Sequence, residues 1–179
     1  LLEQRRYLPA AVLYGVALAI KPQALLFGPV LAVCYLAAIT LEKDRLRAFG
    51  CCFGGAALAL LPPLLTGLPF FGVVQLIPKL FNKYADTMSG YPYATINAFN
   101  WLAALGGNWK GQADPALFGI SWQQLGCFHI LLVTAGLAYF AVRSVRGGRF
   151  SPLLLAAYYG IGIFTLVHCM HERYMVPGV

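Results

Sequence analysis

The sequence predicts an all-α protein, a polytopic bundle of transmembrane helices. Two observations carry that reading. Residues 22–41, 48–66 and 150–170 contain no Asp, Glu, Lys or Arg, and about 20 such residues suffice to cross the hydrocarbon of a bilayer. The 179-residue chain is also 60% hydrophobic and only 11% charged, with a mean hydropathy of +0.70, whereas soluble domains are about a quarter charged. A soluble enzyme domain is therefore excluded, and residues 1–179 are read as part of one transmembrane domain.

The elements follow in order. Residues 7–20 form a first apolar stretch of 14 residues, short for a span, which ends at Lys21-Pro22. Residues 22–41 follow, then the charged loop Glu42 to Arg47, then 48–66. A long polar and aromatic region, 67–126, precedes a further apolar helix at 127–142. The basic loop Arg143 to Arg149 then leads into 150–170. Within 67–126, Phe70, Phe71, Val73, Val74, Ile77, Leu80, Phe81 and Tyr84 recur at helical spacing, which predicts a helix lying on the membrane surface and split at Pro78. Such a helix is an anchor or a lip over a lipid-linked substrate. Pro29, Pro62 and Pro63 predict kinks or broken helix ends. Gly50 and Gly54 form a small-xxx-small pair, which marks close helix packing within the chain or a dimer face.

Charge assigns the sides. Arg5 and Arg6, the basic residues at 43–47 and those at 143–149 make eight of the thirteen Lys and Arg. Placing all of them in the cytoplasm satisfies the positive-inside rule and alternates correctly if 7–20 crosses as a short or tilted helix. Lys21, the region 67–126 and the segment after 170 then share the external face. The net charge of +7 is explained by these loops, and no basic stripe with interleaved aromatics suggests nucleic acid. The five cysteines lie in or beside apolar stretches without metal-ligand spacing, so no disulfide, metal or cofactor is expected.

Three groups of residues on that face carry potential chemistry. Lys21 stands between two apolar helices, and Pro22 suits the first position of the next one. Its amides and dipole would join the lysine in an anion site, with Gln23 beside it; a lysine that merely snorkels to the headgroups is the plainer alternative. Residues 91–109 contain Asn97, Asn100, Trp101, Asn108 and Trp109 without one charge before Lys110. Amides and aromatic faces suit a neutral polyhydroxylated ligand, or else a packed interfacial helix. His171, Glu172, Arg173 and Tyr174 close the last apolar segment; Arg173 can grip phosphate oxygens bidentately, and an interfacial anchor is the alternative. His168 is three residues before His171, so one helical face would hold both.

Three blocks resemble a known family. Ile20-Lys21-Pro22-Gln23-Ala24-Leu25-Leu26 with Pro29, Ile96-Asn97-Ala98-Phe99-Asn100-Trp101 with Leu105-Gly106-Gly107-Asn108-Trp109, and Met170-His171-Glu172-Arg173-Tyr174-Met175 with Pro177 are similar, in order, to blocks of the bacterial membrane glycosyltransferases related to the second GPI-anchor mannosyltransferase (PIG-V-like), in the GT-C class. The resemblance implies a GT-C-like helical fold in the bacterial cell membrane, multi-pass, with its active face external. It implies transfer of a mannose-like hexose from a polyprenyl-phosphate donor to a glycan or lipid acceptor. Lys21, His171 and Arg173 would neutralise the leaving phosphate. The acidic general base of this class belongs to an early external loop expected upstream of Leu1; Glu172, Asp86 and Asp114 are candidates for support only. The chain thus reads as a fragment not expected to be active by itself. A transporter or lipid flippase with broken helices is the alternative, although no inverted repeat is visible and the polar residues gather at one edge. A non-catalytic scaffold would not require Lys21 or Arg173.

Overall fold

The computed structural model describes residues 1–90 and 92–171. They fall into two compact units, Leu1–Gly90 and Tyr91–Val179, and each is mostly helical. Among the described residues, three helices are long and apolar enough to cross a membrane: Pro22–Leu41, Arg45–Thr87 and Trp122–Arg146.

The first unit begins with α1 (Tyr7–Ile20). The stretch 22–41 divides in two, a 3-10 helix Pro22–Phe27 and α2 (Gly28–Leu41), at the proline where a kink or broken end was expected, Pro29 standing in the first turn of α2. Arg5 Nη1 and Glu42 Oε1 meet at 3.1 Å, so the start of α1 and the end of α2 lie level. At that end Tyr35 donates to the Tyr7 carbonyl, 3.1 Å away.

α3 (Arg45–Ser89) absorbs both 48–66 and the expected surface helix. Asp44 caps it by accepting from Arg47 N–H. The break falls at Gly72, whose φ of +65° and ψ of +166° leave the helical region, and not at Pro78. Only a residue without Cβ visits that conformation cheaply. Beyond Gly72 the helix folds back, because a Cβ on Gly67 would meet Leu76 and Leu80 side chains at 3.1 and 3.6 Å. In a straight helix residues 67 and 80 stand about 20 Å apart. The segment 73–89 is thus the returning arm of a helical hairpin.

α1 and α3 pack through small residues. A Cβ on Gly15 would strike the Ala59 carbonyl and lie 2.9 Å from Pro62 Cδ. Pro63 has no N–H to offer the carbonyl four residues back, which is that of Ala59, and Gly15 lets α1 approach this freed oxygen. Gly55 lies against Tyr35 and Ala11 in the same way. Ala11, Tyr35, Ala38, Cys52 and Ala59 are the buried centre of this unit. Gly50 and Gly54 are not the packing pair: a Cβ at either meets nothing within 4 Å.

In the second unit, β1 (Thr95–Ile96) and the short α4 (Trp101–Ala104) precede α5 (Trp122–Arg146), α6 (Pro152–Leu166) and β2 (Met170–His171). α5 starts five residues before the expected 127 because Ser121 and Gln124 form a reciprocal capping box. α6 stops at Leu166, short of 170, so His168 and His171 do not share a helical face. The two helices run antiparallel through glycines: Gly136 faces Tyr158, Gly162 faces Val133 and Gly126 faces the His168 ring.

Candidate functional site

The loop before α5 folds into a cap tied to the chain beyond α6. Thr95 and Ile96 of β1 pair in parallel with Met170 and His171 of β2. On the other side of β1, Thr95 bridges Asn108 and its carbonyl accepts from Trp109 N–H at 3.0 Å. Cys169 N–H donates to the Ala94 carbonyl, 2.8 Å. Beneath lie the buried Ala94, Leu102 and Trp122, with Gly107 flat against the Trp122 ring, where a Cβ would sit 3.0 Å from it. Two of the sequence blocks, 96–109 and 170–171, are therefore neighbours despite some 60 intervening residues.

The polar residues of this cap divide by role. Asn100 is buried and fully engaged. Its Oδ1 accepts from Ala103 N–H at 3.0 Å; its Nδ2 donates to the Phe164 and Val167 carbonyls at 3.2 and 3.4 Å. It caps α4 and closes the C-terminal end of α6, whose last carbonyls have no helical partner. Its Oδ1 and its Nδ2 are both engaged within the fold, which gives Asn100 a structural role.

Asn97, Asn108 and Trp109 are exposed and bonded to one another. Asn97 N–H donates to Asn108 Oδ1 at 2.9 Å. Asn97 Oδ1 accepts from Trp109 Nε1 at 3.2 Å and from Asn108 Nδ2 at 3.4 Å. Tyr93 meets the Trp109 ring edge-on, centroids 5.4 Å apart. Trp101 and Phe99 are 48% and 90% exposed, large apolar faces left uncovered beside this amide pair.

Backbone strain concentrates here. Asn97, Phe99, Trp109 and Cys169 have φ values of +50°, +48°, +60° and +58°. Asn tolerates the left-handed region, but bulky residues do so at a cost of about 1–3 kcal/mol each, typically where a site requires it. These four positions surround the two short strands.

Below the cap, His168 lies on Gly126, and His129 is one turn further along α5. Their Nδ1 atoms are buried without a partner among the described residues. Burial pushes the His168 pKa below the ordinary histidine value and the Cys169 thiol up to about 11. Among the described residues no three His, Cys, Asp or Glu side chains come together as metal ligands. Asp114 holds its own turn, its Oδ2 accepting from Gly111 N–H at 2.9 Å.

Lys21 belongs to the first unit. It ends α1 in an extended conformation, φ −142° and ψ 105°, and its side chain is exposed, while Gln23 is half-buried. The α-helical amides expected beside Lys21 begin instead at Gly28, beyond the 3-10 segment. What reaches this junction is Tyr84, on the returning arm of α3, whose hydroxyl donates to the Leu18 carbonyl at 2.8 Å. That contact was not legible from spacing, since 66 residues separate the partners. Glu172, Arg173 and Tyr174 lie outside the described residues. No protein-family model, curated protein or solved structure matches the chain.

Proposed function

We propose that this chain carries the sugar-binding and phosphate-binding parts of a membrane glycosyltransferase that uses a polyprenyl-phosphate donor. The observation that carries the reading is the strained cap: exposed Asn97, Asn108 and Trp109, mutually oriented by hydrogen bonds, next to the strand that ends at His171. An amide offers donor and acceptor together to vicinal hydroxyls, and an indole face covers sugar C–H groups. The three sequence blocks that resemble the PIG-V-like enzymes include these residues and supply Lys21 and Arg173.

In this reading an acceptor hydroxyl attacks the anomeric carbon of the donor. The C–O bond to the lipid phosphate breaks, the phosphate leaves with the electron pair, and the configuration inverts. The acceptor proton passes to an acidic residue of the early external loop. Lys21, His171 and Arg173 stabilise the phosphate dianion as its charge grows, the kind of preorganised electrostatics that is often the largest catalytic contribution. Asn97, Asn108, Trp101 and Trp109 hold the sugar; Gln23 hydrogen-bonds the phosphate, Glu172 orients Arg173 or a sugar hydroxyl, and Tyr174 stands beside them.

The test uses the full-length protein in proteoliposomes with radiolabelled polyprenyl-phosphate hexose. Arg173→Ala and Lys21→Ala are expected to lower transfer by about 100-fold or more with thermal unfolding unchanged, and Asn97→Gly, which keeps the left-handed backbone, to raise KM. Wild-type protein that scrambles lipid or moves solute without transferring sugar would overturn the proposal in favour of a transporter.

A further inference from the structure

The opposite end of the second unit holds a cavity that sugar transfer does not use. α5 runs for 25 residues, about 36 Å, from the cap to the loop Gly147–Phe150. There a cavity of about 310 Å³ opens between α5 and α6. Leu155, 5% exposed, is its floor. Phe140 and Tyr158, in edge-on contact with centroids 5.0 Å apart, form one wall. Arg149, Ser144 and Ser151 form the polar rim. Leu154, also lining it, is 70% exposed, so the cavity is open towards whatever surrounds the helices.

The rim is unbalanced in charge. Arg143, Arg146 and Arg149 stand within seven residues, and residues 115–171 contain no Asp or Glu. The other basic loop is different: Lys43, Arg45 and Arg47 are interleaved with Glu42 and Asp44, Glu42 pairs with Arg5 and Asp44 caps α3. All three cations near the cavity are arginines, whose planar fork matches phosphate oxygens, whereas lysine offers a point charge.

We infer that this cavity is a site for a single anionic glycerophospholipid of the leaflet that the 143–149 loop faces. The volume lies at the lower end of the range for ligand cavities, enough for the first part of one acyl chain against Phe140, Leu155 and Tyr158. The head-group phosphate then lies at Arg149, between Ser144 and the positive end of α6, which begins at Pro152 after its Ser151 cap. Basic pockets between membrane helices recognise anionic head groups by this combination. The inference rests on α5 spanning a bilayer and is independent of sugar transfer.

Native mass spectrometry of the full-length protein tests it, with phosphatidylglycerol and phosphatidylcholine of the same acyl chains titrated into detergent. Retention of one phosphatidylglycerol with a preference of about tenfold or more over phosphatidylcholine is expected. Arg149→Gln should abolish the preference, and Arg149→Lys should restore part of it. Arg146→Gln, exposed and outside the cavity lining, should change it less than about twofold. Millimolar inorganic phosphate should not displace the lipid. Equal retention of both lipids, or equal losses in Arg146→Gln and Arg149→Gln, would overturn the site in favour of diffuse charge attraction. Displacement by inorganic phosphate would overturn it in favour of a free-anion site. Thermal midpoints within error of wild type establish that each variant is folded.

Discussion

The two units are held together by different means. In the first, helices meet through Gly15, Gly55 and alanines, with few side-chain hydrogen bonds between elements. In the second, a helical hairpin of similar construction carries a cap whose shape depends on hydrogen bonds, short strands and left-handed backbone. Where lipid surrounds the helices there is little hydrophobic drive between them, so close shape matching decides the packing. Where the chain leaves the helices, every backbone N–H and C=O needs a new partner. The cap finds them in Asn97, Asn100, Asn108 and Thr95.

The difference can be broken most sharply at Gly15. A leucine there must displace the Ala59 backbone and Pro62, and neither is a flexible side-chain end. Overpacking of this kind costs about 3 kcal/mol. Gly15→Leu should lower the thermal midpoint of the purified protein strongly while leaving the cap intact, as read by the fluorescence of Trp101, Trp109 and Trp122. Loss of the tryptophan signal together with the midpoint would show instead that the units do not respond separately.

The polar counterpart is Asn100. Asn100→Ala leaves the Ala103 N–H and the Phe164 and Val167 carbonyls without their partner, at a cost of about 1–3 kcal/mol. Asn97→Gly removes an exposed side chain at a position whose φ of +50° glycine adopts freely, and should cost less than about 1 kcal/mol. Two asparagines three residues apart are thereby separated, one structural and one available to a ligand. Equal unfolding midpoints for the two variants would contradict that separation.

These two asparagines also mark how far the sequence could be read. Uncharged length located every long helix, because hydropathy is a property of the segment itself. The ends were set by local chemistry that uncharged length does not report: the Ser121 and Gln124 box starts α5 ahead of the apolar run, and the break falls at Gly72 in place of Pro78, where the fold reverses. Within the cap, composition singled out residues 91–109 as unusual. It could not say which asparagine would be buried, because that depends on the end of α6 more than 60 residues away. The contacts of Tyr84 and His168 were invisible for the same reason; their partners, Leu18 and Gly126, carry no distinguishing side chain.

A smaller effect should appear with pH. His168 lies buried against Gly126 with its pKa depressed by desolvation. A histidine whose folded pKa lies below its unfolded one is fully accommodated above about pH 6.5. As pH falls below that value the unfolded chain takes up the proton first, and stability declines towards the folded pKa by at most about 1.4 kcal/mol per pH unit. Unfolding midpoints measured between pH 8 and 5 should fall on the acid side, and His168→Asn should flatten that part of the curve. An unchanged slope in the variant would assign the dependence to other groups.

The smallest effect is expected at Gly54, and its smallness is informative. Gly50 and Gly54 have the spacing of a helix-packing pair, yet a Cβ at either position meets nothing within 4 Å. Phe49 and Phe53, stacked and 55% and 72% exposed, flank them. Within one chain, Gly54→Leu therefore removes a helix-weakening glycine and adds no clash, so the midpoint should rise or stay within about 0.5 kcal/mol. Gly15→Leu and Gly54→Leu place the same side chain on two helices of one unit, so the contrast isolates packing from composition. A substantial loss in Gly54→Leu, accompanied by a change in the cross-linking pattern of a cysteine placed at Gly50, would show that a further helix covers this face.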